Sequence, residues 1–454
     1  MNIASTQPAA AAPEADRRCA YRLAIPAAAL CLFGALALLW HCGPHTLYFG
    51  ALRLFGFEPF RFPFLDIHAV LAAAQCQQQG SDVYLSNPCD ALGRPHVYSP
   101  LWLALTPGFL GTTATTIVGF GLDLIFLLSL AIVVRPATRG ELSAIALVAL
   151  SPMAVYALER ANNDLIIFLL ILVGCALDRA PRPWRLGCYA LYLTAGLLKY
   201  YPLALLALLA RERRRDGLLL AGLAAVIVAF LAIRGHADLA KALANIPALS
   251  YFADSFSAKN LPFGFAEAVV GRHLRTAAAL SLLIIVAALA LARTRRTFLL
   301  LDAAAPDPNL RETQRLLIGA LLLTTCFFAG QSIDYRGIYF LLVMPGLVRL
   351  YRLAGDPVIR QFLARMIAAV LFVAWEEPLR QLVHMTAAAI GGDWLRLRIQ
   401  LLFWIGRELV WWWLIAGLAA IVLTHALRTP LLAGARVALR HLPLARERRR
   451  QIPG

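Results

Sequence analysis

The stretch TATTIVGFGLDLIFLLSLAIVV, residues 113–134, decides the fold. It carries a single ionisable side chain, Asp123, and stops at Arg135. At 1.5 Å of rise per residue a helix of this length spans a hydrocarbon core of about 30 Å. Runs of the same kind recur near Ile25–Trp40, Glu141–Ala157, Leu165–Leu177, Leu218–Ile233, Thr276–Leu291, Leu316–Gly330, Gly337–Val348, Met366–Val373 and Leu401–Leu423. Of the 454 residues 60% are hydrophobic and 15% charged, with a mean hydropathy of +0.68. Soluble domains run at roughly 45–50% apolar and about 25% charged, so a soluble enzyme is excluded. The pattern predicts an all-α, polytopic transmembrane bundle of about twelve spans in one body, although some runs fall short of the ~20 residues a span needs. Its divisions are an N-terminal tail (1–24), a membrane domain (25–426) and a basic C-terminal tail (427–454).

The formal charge of +17 would point to nucleic acid in a soluble protein, yet no nucleic-acid-binding motif accompanies it. Topology accounts for the charge instead. With both termini inside, 28 of the 43 Lys and Arg residues fall in the tails and five inner loops, as the positive-inside rule requires. The run after Arg17, Arg18 and Arg22 ends in Trp40-His41-Cys42-Gly43-Pro44 without an Ala-x-Ala site, and reads as an uncleaved first span. The inner loop Arg293–Arg315, with Ala-Ala-Pro-Asp-Pro-Asn, reads as a flexible linker.

Two segments need interpretation. Ser99–Leu110, with Pro100, Pro107 and Gly108, is placed as a helix at the outer interface, because a further span would put Arg135 and Arg139 outside. Leu186–Ala210 is interrupted by Lys199-Tyr200-Tyr201-Pro202 and followed by Arg211-Glu212-Arg213-Arg214-Arg215. Reading it as two short helices meeting at Lys199 near the outer face returns the arginines to the cytoplasm, with Pro202 as the cause of the break.

The polar residues suited to chemistry then lie on the outer side. In the first outer loop (42–98), Asp66 stands near the start of a helix-forming stretch, where the dipole favours a carboxylate; it is either a general base or an N-cap. Cys76 and Cys89 share that loop, and a disulfide between them is one reading. Glu159-Arg160-Ala161-Asn162-Asn163-Asp164 packs acids, a base and amides between two spans; passive capping plus an exposed ion pair is the other reading. Lys199 is costly among apolar spans unless it has an anionic partner or snorkels to the interface. Asp334-Tyr335-Arg336 repeats acid, aromatic and arginine at a span boundary, where Arg336 can hold a phosphate or merely pair with Asp334. Asp123 marks a buried functional or pairing group without an evident partner. Glu376, Glu377, Arg407 and Glu408, near outer span ends, line the same cavity or pair among themselves.

These residues resemble the GT-C superfamily of polytopic glycosyltransferases, most closely the family 87 type that includes bacterial polyprenyl-phosphate-mannose-dependent mannosyltransferases. The resemblance covers roughly residues 20–350 and rests on Asp66, on Gly80-Ser81-Asp82-Val83-Tyr84 with Tyr98-Ser99-Pro100-Leu101, on Glu159–Leu165, and on Leu198-Lys199-Tyr200-Tyr201-Pro202 with Asp334-Tyr335-Arg336. It differs from relatives in Tyr-Ser-Pro for Tyr-Pro-Pro, and in Ala-Asn-Asn-Asp where they often carry glycine.

The resemblance implies a multi-pass protein of the bacterial inner membrane, active on the extracytoplasmic face. It would move a sugar from a polyprenyl-phosphate donor to a lipid or glycan acceptor without nucleotide, cofactor or metal. Asp66 would be the catalytic base, Lys199, Arg336 and Arg160 would hold the donor phosphate, and Asp82, Tyr84, Tyr98, Glu159, Asn163, Asp164, Tyr200, Asp334 and Tyr335 would bind substrate or support the site. Membrane lipids are its surroundings and nucleic acid is not a partner. A secondary transporter or flippase would place polar groups near the midplane at a repeat interface; no repeat is evident, and Asp123 is the exception to an apolar midplane. A structural partner in envelope assembly, without activity, is the third reading.

Overall fold

The computed structural model describes residues 12–56, 60–178, 181–302, 311–390, 392–429 and 432. Of the expected linker Arg293–Arg315, residues 303–310 lie outside them and Arg293–Asp302 belongs to a helix, while the first residues of the N-terminal tail and nearly all of the C-terminal arginine tail also lie outside them. Among the described residues the fold is all-α, relieved by one antiparallel pairing of Ser255–Phe256 with Ser332–Ile333. Among the described residues, six helices are long and apolar enough to cross a membrane: Cys19–His41, Thr112–Val133, Arg214–Arg234, Arg275–Asp302, Pro357–Ala374 and Trp394–Ala426. A seventh span arises if Arg139–Ala149 and Pro152–Glu159, bent by 43°, count as one. Ser151 caps the second of these, and Pro152 at its first position, lacking an N–H, explains the break. The chain is a helical membrane protein.

The other expected spans appear as elements that are shorter or less apolar. Asn163–Leu177 has 15 residues, and Arg182–Lys199 is followed by a 3-10 helix, Tyr201–Arg211. The turn between the latter two sits at Tyr200, whose φ of +60° is left-handed. Arg311–Ala329 and Phe340–Leu353 flank the Ser332–Ile333 strand and the 3-10 helix Asp334–Tyr339. The first helix runs from Ala12, well before the expected start at Ile25. Segments expected on the outer side fold too, as His45–Leu54, Leu65–Gln78, Pro100–Leu105, His236–Ala244, Asn260–Val269 and Glu376–Ile390.

Helices Arg214–Arg234 and Arg275–Asp302 bury only 11% and 6% of their most apolar stretches, leaving Leu219, Phe230, Ile284 and Leu289 facing outward. Such exposure is expected where the neighbour is lipid. The core is instead built by Arg311–Ala329, Phe340–Leu353 and Asp393–Ala426, where Leu316, Leu347, Trp411 and Leu418 are buried. Segments expected on the cytoplasmic side bind one another: Arg22 donates to the Ala131 carbonyl at 2.6 Å, Arg315 to that of Val133 at 2.6 Å, and Arg211 pairs with Asp178 at 2.8 Å. Arg428 likewise reaches Asp302 at 3.6 Å.

Candidate functional site

Asp66 is the second residue of the helix Leu65–Gln78, whose N-cap is Phe64 at φ +67°. The carboxylate is therefore not spent on capping. It is buried, and its partners come from elsewhere in the chain. Phe64 donates its N–H to the Glu159 carbonyl at 2.7 Å, and Asp66 its own to that of Arg160 at 3.1 Å. These bonds seat the helix start on the turn 159–162. Ala161, at φ +41°, takes the left-handed conformation that turns Glu159 and Arg160 back toward it.

The side chains then converge. Asn162 donates from Nδ2 to Asp66 Oδ2 at 2.5 Å, and the Arg160 guanidinium stands 3.6 Å from Oδ1, with Arg94 at 4.0 Å. The Asn162 Oδ1 accepts from the Asp164 N–H at 2.8 Å, capping Asn163–Leu177, and from Lys199 Nζ at 3.3 Å. Asp164, fully buried, binds Lys199 at 3.0 Å, the Tyr201 hydroxyl at 2.6 Å and Arg336 Nε at 3.5 Å. Tyr98 and Tyr335 place their rings 5.3 and 5.6 Å from the Lys199 ammonium, within cation–π range. Arg160 lies 4.1 Å over the Phe60 ring and donates to the Tyr156 hydroxyl at 2.9 Å. Three cationic heads, Arg160, Lys199 and Arg336, and two acids, Asp66 and Asp164, from four separate segments thus share one cluster.

The cluster includes Asp66, Arg160, Lys199, Arg336, Tyr98, Glu159, Asp164 and Tyr335. Asn162, at its centre, was passed over in the sequence for Asn163, whose amide atoms are buried and without a hydrogen-bond partner among the described residues. Its signal was local: Asn162 stands just before an apolar run, in N-cap position. Tyr200 lies at the helix break beside Ser99, half-buried. Asp82 and Tyr84 fall apart from the cluster. Asp82 pairs with Lys241 at 2.6 Å at the surface, and that bond holds its carboxyl below the usual range. Tyr84 packs with Ala73, Cys76 and Val83 beside the Cys76–Cys89 disulfide, which the structure forms.

Asp334 also diverges. While Tyr335 and Arg336 face the cluster, Asp334 lies with Glu376, Glu377 and Asp254 around a separate small cavity. There Arg407 Nε stands 2.9 Å from Glu376, yet burial, with Glu377 and Glu408 adding to it against the relief from Arg407, pushes Glu376 up to about 8. An apolar groove between the first helix and Thr115–Val133, lined by Leu32, Phe33, Leu36 and Phe120, ends at Phe64 and Glu159 beside the cluster. Compared with models of known protein families, with curated proteins and with solved structures, the chain finds no match.

Proposed function

We propose that the chain is a membrane glycosyltransferase of GT-C type, similar to family 87, which moves a sugar from a polyprenyl phosphate to a lipid or glycan acceptor. The observation that carries the reading is the Asp66 carboxylate beside Arg160, one amide away from Lys199, with Arg336 bound to the same Asp164. An acceptor hydroxyl gives its proton to Asp66 and its oxygen attacks the anomeric carbon. The bond from that carbon to the phosphate oxygen breaks, and the leaving polyprenyl phosphate keeps the electron pair. Lys199, Arg336 and Arg160 offset the charge that develops on it. The groove that ends at Glu159 suits an isoprenoid tail, since each CH2 removed from water contributes about 0.8 kcal/mol.

In this reading about twelve segments cross or enter the membrane, both termini are cytoplasmic and the cluster faces outward from a bacterial inner membrane. The arginine contacts among the inner segments and the Cys76–Cys89 disulfide in the opposite loop support that orientation.

The test uses full-length protein in nanodiscs with a panel of radiolabelled polyprenyl-phosphate sugars, comparing wild type, Asp66→Asn and Lys199→Ala after their thermal midpoints are matched. Sugar release or transfer that vanishes in Asp66→Asn is expected. Unchanged turnover in a folded Asp66→Asn protein sinks the assignment. A second reading, a transporter or flippase, is favoured by Asp123, buried inside Thr115–Val133 with neither oxygen hydrogen-bonded among the described residues. Flux in liposomes that depends on Asp123, with no turnover of any donor, would replace the first reading by this one.

A further inference from the structure

We propose that Asp334, Glu376 and Glu377 bind one hard divalent cation at the outer end of the helix Pro357–Ala374. One carboxylate oxygen from each lies within 4.8 Å of the other two. Two ligands of a single ion can stand no farther apart than twice the bond length. Calcium–oxygen bonds of about 2.3–2.6 Å span up to about 5 Å, so the three oxygens lie within reach of one such ion. The donors are all carboxylate oxygens, with no thiolate or imidazole among the three, which selects against zinc and copper.

The second observation is Asp334 itself. It is 3% exposed, and neither oxygen accepts a hydrogen bond among the described residues. An uncompensated buried carboxylate is among the costliest groups a fold can contain. The guanidinium that attracts it, Arg407, is shared with other acids. Arg407 is engaged with Glu376 at 2.9 Å and with Glu408 at 3.6 Å, and Arg380 donates to Glu377 at 2.7 Å. Asp254 adds a fourth carboxylate to the same cavity and gives its backbone N–H to Glu377 at 3.3 Å. The cavity has about 10 Å³ of free space for a sphere of water's size, enough for one ion or one water. No metal is needed for the transfer chemistry above, and this site stands apart from that reading.

The ion would act through the backbone. Asp334 opens the 3-10 helix Asp334–Tyr339, whose next two residues are Tyr335 and Arg336 of the polar cluster. The Asp334 N–H donates to the Asp254 carbonyl at 3.2 Å, and Arg336 binds Asp164 from the other face of the same short segment. A cation on Asp334 would pin the strand and 3-10 helix that deliver Arg336.

The test needs no sugar donor, so its failure and the failure of the transferase reading are separable. Full-length protein in nanodiscs, stripped with EDTA, is titrated with Mn²⁺ by electron paramagnetic resonance, and with Ca²⁺, Mg²⁺ and Zn²⁺ by thermal midpoint. One Mn²⁺ per chain is expected, displaced by Ca²⁺, with a raised midpoint and slower hydrogen exchange over Asp334–Tyr339. Asp334→Asn should weaken Mn²⁺ binding more than about tenfold, while Glu408→Gln, outside the three ligands, retains it. Asp334→Asn also removes an acid from a crowded cavity, so a merely structural cluster would gain stability and show no response to cations. If wild type takes up no Mn²⁺ and its midpoint ignores both chelator and millimolar Ca²⁺, or if Asp334→Asn binds Mn²⁺ as wild type does, the site is overturned.

Discussion

The side-chain amide of Asn162 donates to the Asp66 carboxylate across 2.5 Å, joining residues 96 positions apart. Its oxygen accepts from Lys199 and caps the next helix, so one neutral residue sets the separation of a carboxylate and an ammonium.

Asn162→Ala removes both the cap and the donor to a buried acid, at a cost of about 1–3 kcal/mol. Asn162→Ser keeps a capping oxygen and loses the amide that bridges Asp66 and Lys199. The expected order of thermal midpoints is wild type, then Ser, then Ala, with donor turnover lost in both variants. A wild-type midpoint for Asn162→Ala would show that the amide holds nothing in place.

Lys199 and Asp164 form a buried pair at 3.0 Å. Lys199→Met leaves Asp164 with only Tyr201 and the more distant Arg336 and should cost about 2–4 kcal/mol, because a buried carboxylate loses its nearest cation. Adding Asp164→Asn to Lys199→Met should recover part of that loss without restoring turnover. The check is a double-mutant cycle on chemical denaturation in detergent; strictly additive effects would mean that the two side chains do not interact.

His96 is buried against Tyr84 and Tyr98, and burial lowers its pKa from 6.5 to about 4 despite a backbone bond at Ser99 that opposes the shift. Folding therefore excludes its proton. The stability it contributes is complete above about pH 6.5 and is lost as the pH falls toward 4, on the order of 3 kcal/mol. Hydrogen-exchange protection over residues 76–98, measured relative to the intrinsic rate at each pH, should fall across that window, and less steeply in His96→Gln. The remaining slope comes from His68, also lowered by burial, whose Nε2 accepts from the Ala91 N–H at 3.3 Å. Equal slopes in wild type and His96→Gln would refute the assignment.

Gly56 holds φ +95° and lies against the Glu377 backbone, where an added Cβ would fall 2.7 Å from its carbonyl carbon. Neither the conformation nor the contact admits a side chain, so Gly56→Ala should cost about 2–4 kcal/mol. Faster hydrogen exchange over Glu376–Ile390 would locate the damage there, and an unchanged midpoint would show that the helix can move aside.

Much of the site was legible because its residues violate the membrane's rule. A lysine at 199, an acid at 164 and an arginine at 336 amid apolar runs each require a partner, and composition alone raises that requirement. The partner's identity did not follow. Asp82 and Tyr84 occupy motif positions as suggestive as Tyr98, yet Asp82 pairs with Lys241, 159 residues away. Asp334 and Arg336, two residues apart, face different clusters because the 3-10 helix between them points successive side chains about 120° apart.

By itself the sequence determined a helical membrane protein, the break after Lys199 and the concentration of polar groups in segments read as outer. Those features follow from apolar run length, from proline and from the cost of burying charge, all of which are local. Only the tertiary structure decided that Asn162 rather than Asn163 bridges Asp66 and Lys199, and that Asp334 joins Glu376 and Glu377. It also decided that Cys76 meets Cys89. Which side chains meet depends on helix rotation and on turns such as Ala161 and Tyr200, and packing across tens to hundreds of residues sets both.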